Sequence, residues 1–310
     1  MTVQIFFQNV LNALQWGSFY SLIALGYTLV YGVLLLINFA HGDIFMVGAY
    51  IGFFVSTFLL GAYAFRLPLE IPLPVIFIIT LIISMALTAG IGVLLERVAY
   101  RPLRRKSAPR LYVVITALMA GLILEHSNLA LLGASRRAFP ELIAKTIYTI
   151  HGVTFSNIKV LVIITAILVF FTLQAILHKT RLGMAMRAIS YDRLAVPLMG
   201  VSVDRVIVFT FIVGSSLAAL SGVLFAISYP VLEPYMGALI GWKAFIAAVV
   251  GGIGDIRGAF LGGFILGFLE IFVAAVFPST LRDLIAFGLL LLFLCIKPTG
   301  IFGVARATKI

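Results

Sequence analysis

The sequence carries little charge for its size. Charged side chains make up 11% of its 310 residues, whereas hydrophobic side chains make up 63%. Soluble domains average about a quarter charged and about half apolar, so these few charges could not cover the surface of a water-soluble fold. The composition therefore excludes an ordinary soluble domain and indicates a membrane protein.

The sequence is also poor in cysteine, which excludes two kinds of site. Cys295 is the one cysteine of the chain and lies in an apolar run, where we expect a small buried side chain. A single thiol provides neither an intrachain disulfide framework nor a multi-thiolate metal or iron–sulfur centre. The four histidines are too scattered to propose a metal site, and no H-E-x-x-H motif occurs.

Motifs for nucleotide binding are missing as well. No lysine follows a glycine anywhere, so the chain has no G-x-x-x-x-G-K-[ST] phosphate-binding loop. Gly252-Ile253-Gly254 resembles the start of a dinucleotide fingerprint, but Arg257 stands where the third glycine would be. We predict no catalytic residue, no metal and no cofactor on this chain, because an embedded enzyme needs a polar cluster that the sequence does not show. Transport is the favoured function, and ATP, if it drives transport, must bind another polypeptide.

Long apolar runs predict about eight transmembrane helices, each needing about twenty residues. The runs cover residues 14–37, 44–60, 75–95, 111–133, 158–177, 206–228, 239–250, 259–277 and 284–296. They are too long for transmembrane β-strands of about ten alternating residues. We therefore predict an all-α polytopic membrane protein with residues 1–310 in a single transmembrane domain. The weakly amphipathic stretch 2–13 either lies at the interface or extends the first helix.

The net charge of +11 reports orientation in a membrane protein, although in a soluble one it would suggest nucleic acid. Three stretches, 96–110, 178–205 and 297–310, hold 14 of the 22 basic residues. Even numbers of spans separate them, so the positive-inside rule places all three in the cytoplasm. We expect a cytoplasmic C-terminus, an N-terminus on the opposite side of the membrane, the break at 38–42 on the cytoplasmic side, and no nucleic acid partner.

Glycines near the C-terminal spans follow a spacing that lets helices approach closely. The glycines that we expect to pack against another helix are Gly254, Gly258, Gly262, Gly263 and Gly267. A second interpretation is that the break at 251–255 places half-helix ends on a substrate path. The triplet Gly-Asp-Ile occurs at 42–44 and again at 254–256, which hints at an internal repeat.

Ionisable residues at membrane depth are costly and suggest function. For a substrate path we name Asn38, His41, Glu125 and Glu270, since an amino acid carries two charges that need partners when desolvated. The structural alternative is that Glu270 pairs with Lys243, and that Glu125 and the neighbouring histidine bond to adjacent helices.

The connection 178–205 mixes polar and apolar residues and lies on the predicted cytoplasmic side. A short helix is expected over 191–199, ended by Gly200. Its apolar face, Leu194, Leu198 and Met199, suits a groove in a soluble partner. An ordinary amphipathic helix at the interface is the alternative.

Four segments resemble the permease subunits of branched-chain amino acid ABC transporters. They are the early break Asn38-Phe39-Ala40-His41-Gly42, the loop from 187 to 206, the glycine segment 251–263, and Lys297-Pro298-Thr299-Gly300-Ile301-Phe302-Gly303 at the C-terminus. Their order along nearly the whole chain makes the likeness specific. Pro197 departs from a regular helix in the loop and leaves that helix's boundaries open.

The resemblance implies an ABC importer permease fold of the shorter H-type in the inner membrane, with a periplasmic N-terminus and with 178–205 as a cytoplasmic coupling loop. The implied partners are a second related permease, two cytoplasmic ATPases that bind ATP, a periplasmic binding protein and the lipid bilayer. The residues that would couple to the ATPase are Arg187, Asp192, Leu194, Ala195, Leu198, Gly200 and Asp204. The implied substrates are leucine, isoleucine and valine. Urea or short amides are alternatives, as is an ion-coupled secondary transporter that uses Glu125 and Glu270.

Overall fold

The structure is a computed structural model that describes residues 3–64, 72–193 and 195–303. Leu194, one of the residues expected to couple to an ATPase, lies outside the described residues, as do the two basic residues of the C-terminal tail after Lys297. Eight of the described helices are long and apolar enough to cross a membrane. The prediction of an all-α polytopic membrane protein with about eight spans is thus confirmed.

Eleven α-helices follow one another in the described residues. They are α1 (Val3–Leu34), α2 (His41–Ala64), α3 (Leu73–Leu95), α4 (Arg101–Arg105), α5 (Arg110–Leu132), α6 (Asn157–Lys179), α7 (Arg181–Tyr191), α8 (Val203–Ser228), α9 (Met236–Gly251), α10 (Ile256–Val276) and α11 (Arg282–Ile296). A π-helical turn, Glu96–Tyr100, joins α3 to α4, and 3-10 turns occupy Val196–Met199 and Ser279–Leu281.

Four short strands lie in the connections. β2 (Ile147–Ile150) and β3 (Val153–Ser156) form an antiparallel hairpin. Its two turn residues, His151 and Gly152, have φ of 50° and 80°, the left-handed pair that tight hairpins require. β1 (Arg137–Ala138) pairs with β4 (Val231–Leu232).

The first and last described helices bear on two predictions from the sequence. The N-terminal stretch continues α1 as one helix from Val3, so extension of the first span is the interpretation that holds. Cys295 is exposed, so the expectation of a buried side chain is wrong. Its helix, α11, buries only Ala286 and Leu290, because the other side chains face away from the rest of the chain.

The described residues divide into two compact units. The first unit draws on Met1–Leu35, Thr146–Asp192 and Lys243–Ile310, and the second on Leu36–Lys145 and Arg193–Trp242. The expected single transmembrane domain remains a prediction.

In the first unit, α1 and α10 pack in close, antiparallel contact. Ser21 Oγ donates to the carbonyl of Phe260 at 2.7 Å. A Cβ at Gly267 would lie 2.6 Å from Cα of Gly17, and one at Gly263 would collide with Ser21. Glycine at these two positions therefore lets the helix backbones touch, which is the main source of helix association in lipid.

The C-terminal segment completes the end of α9. The Ile301 amide donates to the carbonyl of Val250 at 2.9 Å, and the Phe302 amide donates to that of Gly251 at 3.0 Å. These carbonyls have no partner within a helix that stops there. The break that follows ends at Asp255, whose carboxylate accepts from the Arg257 and Gly258 amides and caps α10. The segment that resembles a C-terminal signature thus holds the glycine break in place.

In the second unit, α2 packs against α3 and α8 through small residues. A Cβ at Gly48 would lie 2.8 Å from Cβ of Ala219 on α8. Ser84 Oγ on α3 donates to the Gly48 carbonyl at 2.6 Å. The start of α2 also touches α9, since a Cβ at Gly42 would lie 2.6 Å from the Gly237 carbonyl oxygen. The first turn of α2 is consequently enclosed by helices.

Candidate functional site

The coupling segment is built differently from the predicted single helix over 191–199. The α-helix lies earlier, as α7, and ends at Tyr191, because Asp192 adopts extended backbone. Pro197 sits in the first turn of the 3-10 helix that follows, where its missing amide costs nothing. Gly200 ends that turn with φ of 77°, a conformation that glycine adopts without strain.

Large apolar side chains of this segment project from the surface of the second unit. Leu198 is 89% exposed and Met199 is 82% exposed, while Val196 in the same turn is buried. The other described residues that we expected to couple to an ATPase are also exposed, with Asp204 half-buried; they are Arg187, Asp192, Ala195 and Gly200. Two large apolar side chains this exposed on an otherwise polar loop are available for contact with another molecule.

Asp204 anchors this segment to α4, the short helix that continues α3. Its carboxylate accepts from Arg104 at 2.6 Å and from Arg105 at 3.4 Å. Arg104 also bonds at 2.9 Å to Glu96, which is fully buried at the start of the π-helical turn. We call Glu96, Arg101, Arg104, Arg105 and Asp204 the arginine cluster. The cluster thus joins the loop to a π-helical turn of a spanning helix, and such turns are frequent at functional sites.

A further basic residue lies beside this cluster. Arg193 is half-buried, and burial, followed by the positive charge of Arg104, lowers the pKa of its guanidinium from the ordinary value. An arginine stays charged even so. The start of the loop in the second unit therefore carries positive charge next to exposed apolar side chains.

In the first unit, Glu270 belongs to a buried ion network. Its carboxylate accepts from the Tyr20 hydroxyl at 2.7 Å and pairs with Lys243 Nζ at 2.8 Å. Lys243 also bonds Asp283 at 2.8 Å, and Arg282 reaches the same carboxylate at 3.1 Å. Of the two expectations for Glu270, the structure shows the pairing with Lys243. Its charge is thereby neutralised by protein groups.

The polar break before α2 lies deep in the second unit. The Asn38 carboxamide oxygen accepts from the Tyr100 hydroxyl at 2.6 Å, and both residues are buried. His41, the first residue of α2, is 1% exposed. A Cβ at Gly121 would lie 3.4 Å from Cα of Ala40, and Gly121 is twelfth among the 23 residues of α5. The break therefore faces the middle of α5, and the expectation that it lies on the cytoplasmic side stays a prediction.

Glu125 is buried on α5, one turn beyond Gly121, where an added Cβ would collide with Asp43 Oδ2 on α2. Sequence analysis does not single out Asp43 beyond its place in the repeated Gly-Asp-Ile triplet. His126, next to Glu125 in sequence, is exposed and contacts the Leu122 carbonyl of its own helix at 3.0 Å. Helical spacing was the signal that could have found Asp43. Once α2 is known to begin at His41, that spacing places Asp43 and the next polar residue of α2 on one face of the helix.

Comparison with known proteins identifies the family. Residues 9–294 match the family model described as the permease component of branched-chain amino acid transport systems. The chain belongs to this permease family. The match includes most of both units, so the resemblance drawn from four sequence segments is confirmed over nearly the whole chain.

Curated relatives of the permease carry the same description. It is 38% identical over 309 residues to the high-affinity branched-chain amino acid transport system permease protein BraD of Pseudomonas aeruginosa, with 98% of each chain covered. It is 36% identical over 311 residues to LivH of Escherichia coli, again with 98% of each chain covered. A probable LivH of Methanocaldococcus jannaschii is 27% identical, covering 94% of the permease and 91% of that protein. No solved structure matches the permease.

Proposed function

We propose that this permease is the membrane-spanning subunit of an ATP-binding cassette importer that translocates branched-chain amino acids, leucine, isoleucine and valine. The observation that carries the proposal is the end-to-end similarity to BraD and LivH, at 38% and 36% identity. Because the similarity covers the whole length, it includes the segments that we assign to the transport pathway and to the partner contacts. The relatives are transport permeases, and this supports a transporter that catalyses no reaction itself.

The proposed assembly contains a second, related permease, two cytoplasmic ATPases and a periplasmic binding protein that delivers the substrate. ATP binds to the ATPases and no cofactor binds to this chain. The chain spans the inner membrane with its C-terminus in the cytoplasm and its N-terminus in the periplasm. This orientation requires an odd number of crossings, so the shorter apolar helix α9 (Met236–Gly251) crosses the membrane in addition to the eight long helices. The clustering of 14 of 22 basic residues in three stretches of one predicted side supports this orientation.

The ATPase docks on the segment that follows α7. Exposed Leu198 and Met199 provide apolar area for a groove in the ATPase, and Asp204 ties the segment to α4 through Arg104. Closure of the ATPase dimer on ATP moves the docked segment, and the arginine cluster transmits the movement to a spanning helix. The path then changes the side to which it opens.

An ion-coupled secondary transporter remains the second candidate, because Asp43 and Glu125 lie together inside the membrane-spanning region. Glu270 supports it less, since Lys243 neutralises its charge. Urea or short amides as substrates would leave the assembly unchanged and alter only the delivered molecule.

Co-expression with candidate ATPases, a second permease and a binding protein from the same genome tests the assembly. We expect an affinity tag on the permease to retain two ATPase copies and one copy of the second permease through size exclusion, measured by native mass spectrometry. Retention of the permease as a monomer or homodimer that excludes the ATPases would contradict the proposal. Binding of amino acids, urea and amides to the isolated binding protein by calorimetry then identifies the substrate.

A further inference from the structure

Two acidic side chains in the second unit are buried without a cationic partner. Asp43 is 8% exposed and Glu125 is 9% exposed. Neither takes part in an ion pair with any residue that the structure describes. The other buried carboxylates differ, because Glu96 bonds Arg104 at 2.9 Å and Glu270 bonds Lys243 at 2.8 Å.

One carboxylate oxygen of the pair lacks any hydrogen bond. Asp43 Oδ1 is buried and has no partner among the described residues. The carboxylate has room because Gly121 faces it, and a Cβ there would collide with Asp43 Oδ2. A buried acceptor without a donor costs free energy, so a donor group from a bound molecule would stabilise this carboxylate.

The pair sits on a polar stripe shared by two helices. One turn beyond Asp43 on α2 lies Met46, whose sulfur accepts from the Asn128 amide at 3.4 Å. Asn128 in turn lies one turn beyond Glu125 on α5, and Tyr50, one turn beyond Met46 on α2, is buried as well. Residues three and four apart share one helix face, so the polar side chains line one seam halfway along α5.

The chemistry of this seam favours an ammonium group over a metal ion. Two carboxylates that interact across a buried seam repel each other unless a proton or a cation lies between them. Ca²⁺ needs six to eight oxygen ligands and Mg²⁺ needs octahedral coordination, and no group of three or more His, Cys, Asp or Glu in the described residues could hold a metal. An ammonium group is monovalent and offers three donors, which suits Asp43 Oδ1 and the Glu125 carboxylate.

We propose that Asp43 and Glu125 form the site that takes the α-ammonium group of the amino acid while it crosses the membrane. This inference rests on the proposed function. Transporters place substrate sites near the bilayer midplane, next to interrupted helices, and the polar break before α2 lies directly beside this pair. The binding protein selects the side chain, and this site holds the charge that all branched-chain amino acids share.

Dicyclohexylcarbodiimide labels protonated carboxyl groups in apolar surroundings. Protection of Asp43 and Glu125 from this label by bound ligands tests the site in the complete transporter. We expect labelling at Asp43 or Glu125, mapped by mass spectrometry. Leucine and isopentylamine, which carry an ammonium group, should lower the labelling about tenfold at ten times their dissociation constant. The ammonium-free analogue 4-methylpentanoate should leave it unchanged. Absence of labelling, labelling that no ligand alters, or equal protection by 4-methylpentanoate would overturn the proposal.

Leucine uptake by substituted transporters provides a second test of the site. Asp43→Asn and Glu125→Gln should each lower the initial rate of leucine uptake about tenfold or more, because a charge-assisted hydrogen bond is lost, while ATP hydrolysis by the complex continues. Glu233→Gln is the matched control, since Glu233 forms an exposed pair with Arg136 at 2.8 Å, and its uptake should stay within about twofold of the parent. The protection assay needs no variant, so misfolding of either substitution leaves the test intact.

The two arms separate failure of the site from failure of the proposed function. Leucine uptake that survives both substitutions, with no protection in the parent protein, would remove the site and leave the importer. Protection by isopentylamine in a complex that shows no ATP-driven amino acid uptake would keep an ammonium site and remove the importer.

Discussion

At the scale of residues, small side chains and charge partners decide where the helices meet. Gly267 and Gly263 on α10 meet Gly17 and Ser21 on α1 with backbones in contact. Not every glycine has such a role, since Gly288 on α11 has nothing within 4 Å of its missing Cβ. Glycines that look equivalent in the sequence therefore differ in how much an added methyl group would disturb helix packing.

Gly267→Ala should destabilise the permease, because the added methyl must push α1 and α10 apart. Overpacking of a close contact costs about 1–3 kcal/mol. Gly288→Ala is the matched control and should be neutral or stabilising by up to about 1 kcal/mol, since alanine favours helix. Thermal unfolding of the detergent-solubilised complex measures both, and equal midpoints for the two variants would refute the packing role of Gly267.

Lys243→Met should be more harmful alone than together with Glu270→Gln. The single change leaves a buried carboxylate without its cation, which costs about 3–5 kcal/mol. The double change removes the unpaired charge and leaves a carboxamide oxygen at position 270 that can still accept from the Tyr20 hydroxyl. A double-mutant cycle of unfolding midpoints provides the comparison, and additive losses would show that the ion pair contributes nothing beyond its separate members.

At the scale of elements, the apolar runs predict the membrane spans but not the irregular turns. Hydropathy predicts about eight helices, because a long apolar segment in lipid satisfies its own backbone hydrogen bonds only as a helix. The π-helical turn Glu96–Tyr100 has no composition signal, because its residues also suit an α-helix. The burial of Asp43 could not be predicted for a related reason. It depends on the start of α2 packing against the middle of α5, which is a feature of the tertiary structure.

Leu198→Asp should weaken assembly with the ATPases, because it places a charge on a side chain that is 89% exposed in the isolated chain and would be covered in the complex. Leu198→Met keeps the apolar area and is the control. Size exclusion and ATPase activity of the complex report the effect. Full assembly of the Asp variant would mean that docking occurs elsewhere on the surface.

Ile301→Pro should destabilise the end of α9. The substitution removes the amide that donates to Val250 at 2.9 Å, and an unsatisfied buried carbonyl costs about 1–3 kcal/mol. Ile301→Val keeps that amide and should unfold close to the parent temperature. Limited proteolysis and unfolding of the solubilised complex would detect the difference, and identical behaviour of the two variants would rule out a capping role.

At the scale of the whole molecule, charge and similarity agree on a multi-pass permease. The excess of eleven positive charges is consistent with the proposed orientation, and the family match over residues 9–294 shows a transport permease. The chain has no phosphate-binding loop, so the energy for transport must come from partners or from an ion gradient. That alternative is the central question about the molecule.

Leucine uptake into proteoliposomes that hold the complete complex answers it most directly. With the binding protein and labelled leucine outside, we predict uptake only when ATP is enclosed on the ATPase side, and no change when ionophores collapse the ion gradients. Uptake by the permease alone, driven by a proton or sodium gradient without ATP, would contradict the account.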